Sequence, residues 1–596
     1  MATRHINAAA LAAIAVAVAV AGILASTWSG TPLVGYDDAN IFFVYARNLV
    51  EGHGFVYNVG GERVEGFTSL LWVLICAAAW AASSRFEILL FVINVVIVSF
   101  ALWRLAALLA DVLARFEMAS GLRAALLAIA LALAVGLAPG YVIWTVVSLM
   151  DSGLWSALLL LAAIATVRLA IGDRLDARVL ASLMVVLVIT RPEALLWGPV
   201  FIAMWIAVDV AHGDSWMAAL RRHSGAVIAF IASTASLFAW RLFYFGYPFP
   251  NTYYAKAGDP LGARLEAGSM YLLDFVLSHP AFLLAVPAAL ATAGAAFMRY
   301  RQARDQALLR LLLAQSCVLV MLLVGAAIPA LEGGDHFGFW RMYQPILPLV
   351  AIQAVLSSAM LGVARPAERR QAAAACMLAV VVALPPWRHW AWLGEISFPA
   401  TGFLGAVWTN ARVEIAIAED TRRIGAAFDR AFADPKPSVG VIVAGGFAYS
   451  YRGPTVDLMG LNNVAMAHSP GPRTGMRNHA AFNHDVFFAL APDVLMVSLW
   501  SPDRPDWFQI PMMCGEFETL PYLQPTYFQR RGISMDAISG GFLKNLLHMP
   551  RTGELYQWAA VRPESTAPWI HAVFRREYLK ELERRGYEIA LPGPPR

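Results

Sequence analysis

The stretch AAALAAIAVAVAVAGILAS, residues 8–26, carries no charged side chain. It is long enough to cross the hydrocarbon core of a bilayer, which takes about 20 apolar residues in a helix. A cleaved signal peptide is the alternative, but its apolar core is usually about 7–15 residues and ends at a small-residue cleavage site. Because this run is longer and more apolar runs follow it, we interpret it as an uncleaved first transmembrane helix.

Apolar runs of this kind continue to about residue 385. The chain has 596 residues, of which 59% are hydrophobic and 14% are charged, whereas soluble domains carry about 25% charged residues. Beyond residue 385 charged residues, Pro and Gly return at ordinary density. We therefore predict a polytopic α-helical membrane module, residues 1–390, followed by an extracytoplasmic soluble α/β domain, residues 391–596.

The remaining composition excludes several classes of function. The net charge of +4 is too small to indicate a nucleic-acid partner. The soluble part holds a single cysteine, Cys514, which excludes a disulfide framework or a cysteine-based metal site there. No Walker-type or GxGxxG loop follows a predicted strand, so energy from a cytosolic nucleotide is not expected.

Arginine clusters predict the topology of the membrane part. Arg4 places the N-terminus in the cytoplasm, so the loop 29–66 is outside. If the next apolar segment, 67–85, spanned the membrane, every later arginine cluster would fall outside, against the positive-inside rule. If it lies in the outer interface, all of them fall inside. We take the second arrangement; the clusters are Arg115/Arg123, Arg168/Arg174/Arg178, Arg221/Arg222, Arg299/Arg301/Arg304/Arg310 and Arg365/Arg369/Arg370.

This topology predicts eleven spans. They are 8–28, 86–103, 124–144, 154–171, 179–190, 194–211, 225–242, 280–298, 311–331, 346–363 and 372–387. The fifth is too short to cross unaided and is expected to be a broken or re-entrant element. The chain would lie in a bacterial inner membrane with these segments outside: 29–66, 243–279, 332–345 and 388–596.

The sequence of the soluble part predicts alternating strands and helices. Strands are predicted at 439–444 and 493–497, where β-branched and apolar residues cluster, and a helix is predicted over 413–432. A charged helical stretch is expected over 569–586. Together they indicate an α/β domain.

Two adjacent carboxylates, Asp37 and Asp38, follow the first helix in the sequence GYDDANIFFVYARNL, residues 35–49. The apolar positions after them keep a helical period, so a helix lying at the interface would begin at the pair. A helix N-cap with a solvated neighbour would explain two such residues in isolation. Their context is less ordinary, because the polar strings GHGFVYN (52–58) and ERVEGFTSLLW (62–72) follow in the same loop.

The run from Asp37 to Trp72 resembles the first loop of bacterial GT-C glycosyltransferases, in particular the lineage of the mycobacterial terminal β-(1→2)-arabinofuranosyltransferase. That lineage shows a DDA…YARN opening, a GxGxVxN centre and a VEGxTxxLW exit. Asp151 departs from the usual Glu of its motif, and Met342 from the usual Phe. Further matching segments follow in order: SLMDSGL (148–154), TRPE (190–193), FPNTYYAK (249–256), GGD (333–335) with Arg341 and Pro345, and DLMGL (457–461).

The resemblance implies an inverting transfer of a sugar from a polyprenyl-phosphate donor to a cell-envelope glycan acceptor on the outer face. Such a transfer needs a general base, and cations for the phosphate leaving group. We expect Asp38, or else Asp37, to be the base. The expected phosphate ligands are Lys256, Arg341, His336 and Arg191, and the expected substrate-binding residues are Asp151, Asp335, Glu65, Tyr253 and Asn251.

Structural explanations compete with several of these roles. Arg191 and Glu193 would also make an ion pair within the membrane region, and Lys256 an interfacial anchor. Asp335 would also turn the Gly-Gly segment, and Asp151 would cap a helix. Ordinary loop polarity explains His468, His479, His484 and Asp485, and an interfacial belt explains the aromatic residues. A divalent metal is an open alternative that the spacing does not favour.

Other functions stay open at this point. A transporter or flippase for a lipid-linked sugar would have internal repeats and a midplane site, neither of which is visible in the sequence. An O-antigen-type polymerase or ligase would use lipid-diphosphate oligosaccharides, and a non-catalytic relative would only bind glycan. Arabinofuranose follows from the resemblance alone, and a hexose is the alternative.

Overall fold

The computed structural model describes residues 7–28, 33–256, 261–335, 337–364, 402–470, 482–495 and 550–591. The first part of the chain is helical and the last part forms a mixed sheet. In chain order the helices of the first part are α1 (Ala8–Trp28), α2 (Asp37–Val50), α3 (Leu70–Ala82), α4 (Phe86–Arg115), α5 (Gly121–Gly136), α6 (Pro139–Val142), α7 (Ser152–Ala170), α8 (Ala177–Thr190), α9 (Ala194–Ala211), α10 (Trp216–Phe245), α11 (Asn251–Lys256), α12 (Leu261–Ser278), α13 (Pro280–Ala303), α14 (Gln306–Glu332) and α15 (Leu347–Ala364).

Most predicted spans are confirmed as apolar helices of spanning length. Within the described ranges eight helices are long and apolar enough to cross a membrane, and a bent pair makes a ninth. The eight are Ala8–Thr27, Phe86–Arg115, Ser152–Ala170, Ala194–Ala211, Trp216–Phe245, Ala281–Ala303, Gln306–Glu332 and Gly338–Val363. Helix α8 is apolar but short, as expected for 179–190, and the predicted span 372–387 lies outside the described residues.

The predicted span 124–144 is not one straight helix. Helix α5 ends at Gly136, and the following helical segment, Pro139–Val147, is bent from it by 68°. Proline cannot donate a backbone hydrogen bond, which explains why the first helix does not continue through residue 139. The segment then widens into a π-helical turn, Ile143–Val147, directly before the SLMD motif.

The segment 67–85, predicted to lie at the interface, contains a short apolar helix. Helix α3 has 13 residues, so it is about 20 Å long at about 1.5 Å per residue, shorter than the roughly 30 Å hydrocarbon core. Its start is capped by Ser69, whose hydroxyl accepts a hydrogen bond from the Trp72 amide at 3.2 Å.

The predicted outer segments meet at one end of the bundle. Asp38 faces Arg341 at 3.4 Å, and the Asn251 side-chain amide donates to the Gly460 carbonyl at 2.8 Å. Basic residues of the predicted inner loops meet at another place: Arg115 and Arg168 both pair with Asp173. Which of these loops lie on which side of the membrane stays a prediction.

The C-terminal part contains a six-stranded mixed sheet. Its strands are β1 (Val439–Val441), β2 (Thr455–Asp457), β3 (Val494–Leu495), β4 (Tyr556–Arg562), β5 (Ile570–Arg575) and β6 (Glu588–Ala590). The spatial order is β2-β1-β3-β5-β4-β6, with β2, β1 and β3 parallel and the other pairs antiparallel. The helices of this part are α16 (Gly402–Ala431), α17 (Ala444–Ser450), α18 (Val464–Ala467), α19 (His484–Leu490), α20 (Pro550–Leu555) and α21 (Arg576–Arg584).

Helix α16 and the strands β1 and β3 confirm three predicted elements of this domain. The predicted helix over 569–586 is wrong in its first part, because Ile570–Arg575 is strand β5. This strand pairs with β3 on one side and β4 on the other. Its residues, IHAVFR, include β-branched and aromatic side chains that favour a strand, and the run of charged residues begins only at Arg575. Only Arg576–Arg584 is helical.

Helices α12 and α14 approach each other closely at Gly268. A Cβ atom added at Gly268 in α12 would overlap the main chain of Ala330 in α14, whereas one added at Gly262 in the same helix would meet nothing within 4 Å. The two helices can therefore approach closely only because residue 268 has no side chain.

We expect Gly268→Ala to lower the thermal stability of the purified protein, because α12 and α14 would have to separate. Gly262→Ala is the matched control and should be neutral or stabilising by up to about 1 kcal/mol, the helix-propensity gain of alanine over glycine. Thermal unfolding in detergent checks both, and equal melting temperatures for the two variants would contradict the close contact.

Candidate active site

The two aspartates of the first loop begin helix α2 and point to different partners. The N-cap of α2 is Tyr36, and Asp37 and Asp38 occupy the first turn, as the helical period predicts. The Asp37 carboxylate accepts hydrogen bonds from the main-chain amides of Gly445 at 2.8 Å and Gly446 at 2.7 Å, and from the Thr421 hydroxyl at 3.4 Å. Both oxygens of Asp37 are thus bound by the C-terminal domain.

Burial raises the pKa of the Asp37 carboxyl to about 7, although the amides of Gly446 and Gly445 lower it. A base with a pKa near neutrality is well matched to proton transfer. The geometry is less favourable, however, because the carboxylate of Asp37 is directed toward the amides of α17. The pKa favours Asp37 as a base, whereas the hydrogen bonding favours Asp38.

Asp38 faces a cationic centre. Its Oδ2 lies 3.4 Å from Nη1 of Arg341, whose Nε lies 2.6 Å from Oδ2 of Asp335. The Arg341 guanidinium also lies over the rings of Phe337 at 4.6 Å and Trp144 at 5.5 Å, measured to the ring centroids. Arg341 is therefore held by one close carboxylate and two aromatic faces, and its contact with Asp38 is the long one.

The amino group of Lys256, the last residue of α11, interacts electrostatically with Arg341, Asp38 and Asp335. Burial and the neighbouring Arg341 lower the pKa of its ammonium group, while Asp38 and Asp335 raise it. In the part of the chain that the structure describes, Lys256 makes no ion pair within 4.0 Å. Lys256 is therefore electrostatically coupled to Asp38, Asp335 and Arg341.

A second ionic group lies around Arg191. Its Nη1 lies 2.9 Å from Asp151 Oδ2, and its Nε and Nη2 both bind Glu193, the closest contact being 2.7 Å. The Asp151 side chain is fully buried and makes no capping bond to its own helix. The ion pair expected between Arg191 and Glu193 is therefore present, and Arg191 is engaged by two carboxylates.

A cleft connects the two ionic groups. It has an empty volume of about 500 Å³, including space open to the surroundings. Arg191, Glu193 and Arg341 lie along its polar side, and helices α7, α9 and α14 supply apolar walls. The apolar lining comprises Trp155, Leu159, Trp197, Ile328 and Ile346 among others.

Two of the expected substrate-binding residues form an ion pair or hydrogen bonds with other residues of the protein. Glu65 forms a buried ion pair with Arg241 of α10, with Nε at 2.9 Å from Oε2. The side-chain amide of Asn251 donates to the carbonyls of Gly460 and Leu461 in the DLMGL segment. Tyr253 in contrast is half exposed, next to Phe249 and Tyr254. The predicted ligand His336 and the loop residue His479 lie outside the described residues.

Sequence reasoning did not single out several polar residues that join the first loop to the sheet domain. Arg47 is buried and donates to the carbonyls of Ala448 and Tyr449 at 3.3 and 2.7 Å. Asn58 and Thr455 exchange two hydrogen bonds. A charged side chain within an apolar helix was the available signal for Arg47, but nothing in the local sequence identifies carbonyls about 400 residues away as its partners.

Comparisons with known proteins show a likeness to solved structures. No family model matches the chain, and no curated protein matches it. Among solved structures, the chain is similar to an oligosaccharyltransferase of Archaeoglobus fulgidus in a complex with zinc and sulfate, at 13% identity and a TM-score of 0.43, covering 94% of this chain and 73% of that one. A likeness at this level carries no argument about function, so the chemistry below depends on the chain's own residues.

The buried Glu65–Arg241 pair generates a stability prediction. Removing one partner of a buried ion pair leaves an uncompensated charge and typically costs about 3–5 kcal/mol. We expect Arg241→Met to lower thermal stability strongly and Arg423→Met, which breaks an exposed pair with Glu419, to change it little. A Glu65→Leu/Arg241→Met double variant that is no more stable than Arg241→Met would argue against the pairing.

Proposed function

We propose that the protein is an inverting glycosyltransferase that transfers a sugar from a polyprenyl-phosphate donor to a cell-envelope glycan. The reaction would take place at the outer face of the inner membrane, with the N-terminus of the chain in the cytoplasm and the C-terminal domain outside. The observation that carries the proposal is the 3.4 Å contact of one carboxylate, Asp38, with Arg341, a cation that also lines a cleft with apolar residues in its wall. The amino group of Lys256 is electrostatically coupled to both.

The shape and lining of the cleft support a lipid-phosphate donor. A polyprenyl phosphate has an anionic head and a long hydrocarbon tail, so its site needs cations at one end and apolar surface beyond them. Arg341 lines the cleft, and so do the apolar side chains of Trp155, Leu159 and Trp197. In this proposal the head lies near Arg341 and the first isoprene units lie between helices α7, α9 and α14.

The chemistry assigned to Asp38 is that of a general base. Its carboxylate takes the proton of the acceptor hydroxyl while the hydroxyl oxygen attacks the anomeric carbon from the face opposite the phosphate. The bond from the anomeric carbon to the phosphate oxygen breaks, and the electron pair leaves with polyprenyl phosphate. Arg341 and Lys256 stabilise the negative charge that develops on that oxygen.

The contact between Asp38 and Arg341 is weak enough for Arg341 to turn from Asp38 to a phosphate. At 3.4 Å it is longer than the about 2.7–2.9 Å of a strong charge-assisted hydrogen bond. Arg341 stays anchored by Asp335 and the two aromatic faces when it turns a donor N–H toward a phosphate. Arg191 is less available, because Asp151 and Glu193 occupy both sides of its guanidinium.

Transfer assays distinguish this function from its alternatives. Purified protein in nanodiscs is given polyprenyl-phosphoryl arabinofuranose or a polyprenyl-phosphoryl hexose with glycan acceptors, and the product is followed. A flippase would instead move the lipid across vesicles without forming product, and a polymerase or ligase would require a lipid-diphosphate oligosaccharide. The comparison of the two donors decides between arabinofuranose and a hexose.

We expect Asp38→Asn to lower kcat by about 100- to 10,000-fold, the usual contribution of a general base. Donor binding should remain, because Arg341 and Lys256 are unchanged. Asp214→Asn, which lies in an exposed ionic pair with Arg222 away from this site, is the control and should keep full activity. Full turnover of Asp38→Asn would sink the assignment of the base.

Arg341→Lys should raise the donor KM by about tenfold or more, because a lysine cannot replace the bidentate and stacking contacts of a guanidinium. Arg191→Lys should mainly lower thermal stability, since its partners Asp151 and Glu193 are buried. Donor titration and thermal unfolding of both variants check this division. The reverse result, with the KM effect confined to Arg191→Lys, would make Arg191 the phosphate ligand.

A further inference from the structure

Main-chain amides of the soluble domain contact the candidate active site. Helix α17 presents the amides of Gly445 and Gly446 to the carboxylate of Asp37, the residue directly before the candidate base. These contacts join positions 37 and 445–446, which are about 400 residues apart in the chain. Resting on the function proposed above, we propose that Asp37 is a positioning residue through which the docked soluble domain holds Asp38 against Arg341.

The two glycines are required for so close an approach. A Cβ atom added at Gly445 would overlap the main-chain carbonyl of Asp37 and lie 2.9 Å from its Oδ2. A Cβ atom added at Gly446 would overlap the hydroxyl of Thr421, the third partner of the Asp37 carboxylate. Any larger residue at 445 would thus push the start of helix α2 away from the domain.

The other end of helix α17 is held by the same helix. Arg47, ten residues along α2, donates to the carbonyls of Ala448 and Tyr449 at that end. At the first residue of α17, the hydroxyl of Tyr57, in the loop after α2, donates to the carbonyl of Ala444 at 2.6 Å. Nearby, Arg422 of α16 binds the side chains of Asn40 at 2.6 Å and Glu87 at 2.9 Å. The first turn of α2 is therefore fixed against the soluble domain at several points.

Asp38 itself has weaker restraints. The contact that orients its carboxylate is the 3.4 Å approach to Arg341, so its position follows from the backbone of the first turn of α2. Displacement of a reacting group by about 1 Å can cost about 100-fold in rate. Loosening the Asp37 contacts should therefore lower turnover without removing any group that binds the donor.

The test compares the full-length wild type with Asp37→Asn, Gly445→Ala and, as a control, Gly294→Ala, where an added Cβ meets nothing within 4 Å. Two quantities are measured in nanodiscs: amide hydrogen exchange over residues 444–450, and kcat and KM with a polyprenyl-phosphoryl sugar. Loss of a charge-assisted hydrogen bond should speed exchange at 445 and 446 about tenfold or more. We expect kcat to fall by about 100-fold with the donor KM changed less than about twofold, and the control to match the wild type.

Each other result overturns the proposal. If Asp37→Asn abolishes turnover while exchange over 444–450 stays as in the wild type, Asp37 acts chemically. If exchange accelerates while kcat is unchanged, the domain contact does not position the base. Gly445→Ala is an independent second variant should Asp37→Asn fail to fold. Wild-type protein without transfer activity would sink the proposed function instead, and the exchange comparison would still decide whether Asp37 holds the domain.

Discussion

Helix α2 binds both ends of helix α17. This contact fixes the sheet domain on the membrane module. Helix α17 has seven residues, so most of its amides and carbonyls are end groups without a partner inside the helix. The Asp37 carboxylate satisfies amides at its start, and the Arg47 guanidinium satisfies carbonyls at its end. The signs of both charges also agree with the dipole of the helix.

The two ionic groups of the site differ in how many donors of their arginine are occupied by carboxylates. Arg191 directs Nη1 to Asp151 and both Nε and Nη2 to Glu193, which leaves little capacity for a further anion. Arg341 has one close carboxylate, two aromatic faces and one long contact. A phosphate that approaches the cleft can therefore replace the long contact of Arg341 without leaving a buried carboxylate unpaired, whereas at Arg191 it would strand one.

The sequence predicts the parts of this structure that depend on local pattern. Apolar length predicts most of the spans. The bend after Gly136 falls at a local signal, Pro139, that the predicted span 124–144 ran through. The strand Ile570–Arg575 is fixed by pairing with β3 and β4, which local pattern does not identify. In the site, ordered motifs place Asp38, Arg341 and Lys256 together, but residue type alone does not show that Glu65 would pair with Arg241 or that Asn251 would bind the carbonyls of 460–461.

The adjacency of the two aspartates follows from helical geometry. Consecutive residues of an α-helix point about 100° apart, so one can face the soluble domain while the next faces the cleft. Were the two carboxylates three or four residues apart, they would lie on one face and compete for the same partners. At adjacent positions in the first turn of α2, any movement of Asp37 on Gly445 and Gly446 is transmitted to Asp38 over a single peptide unit. A docking contact and a base can thus be coupled without a further structural element between them.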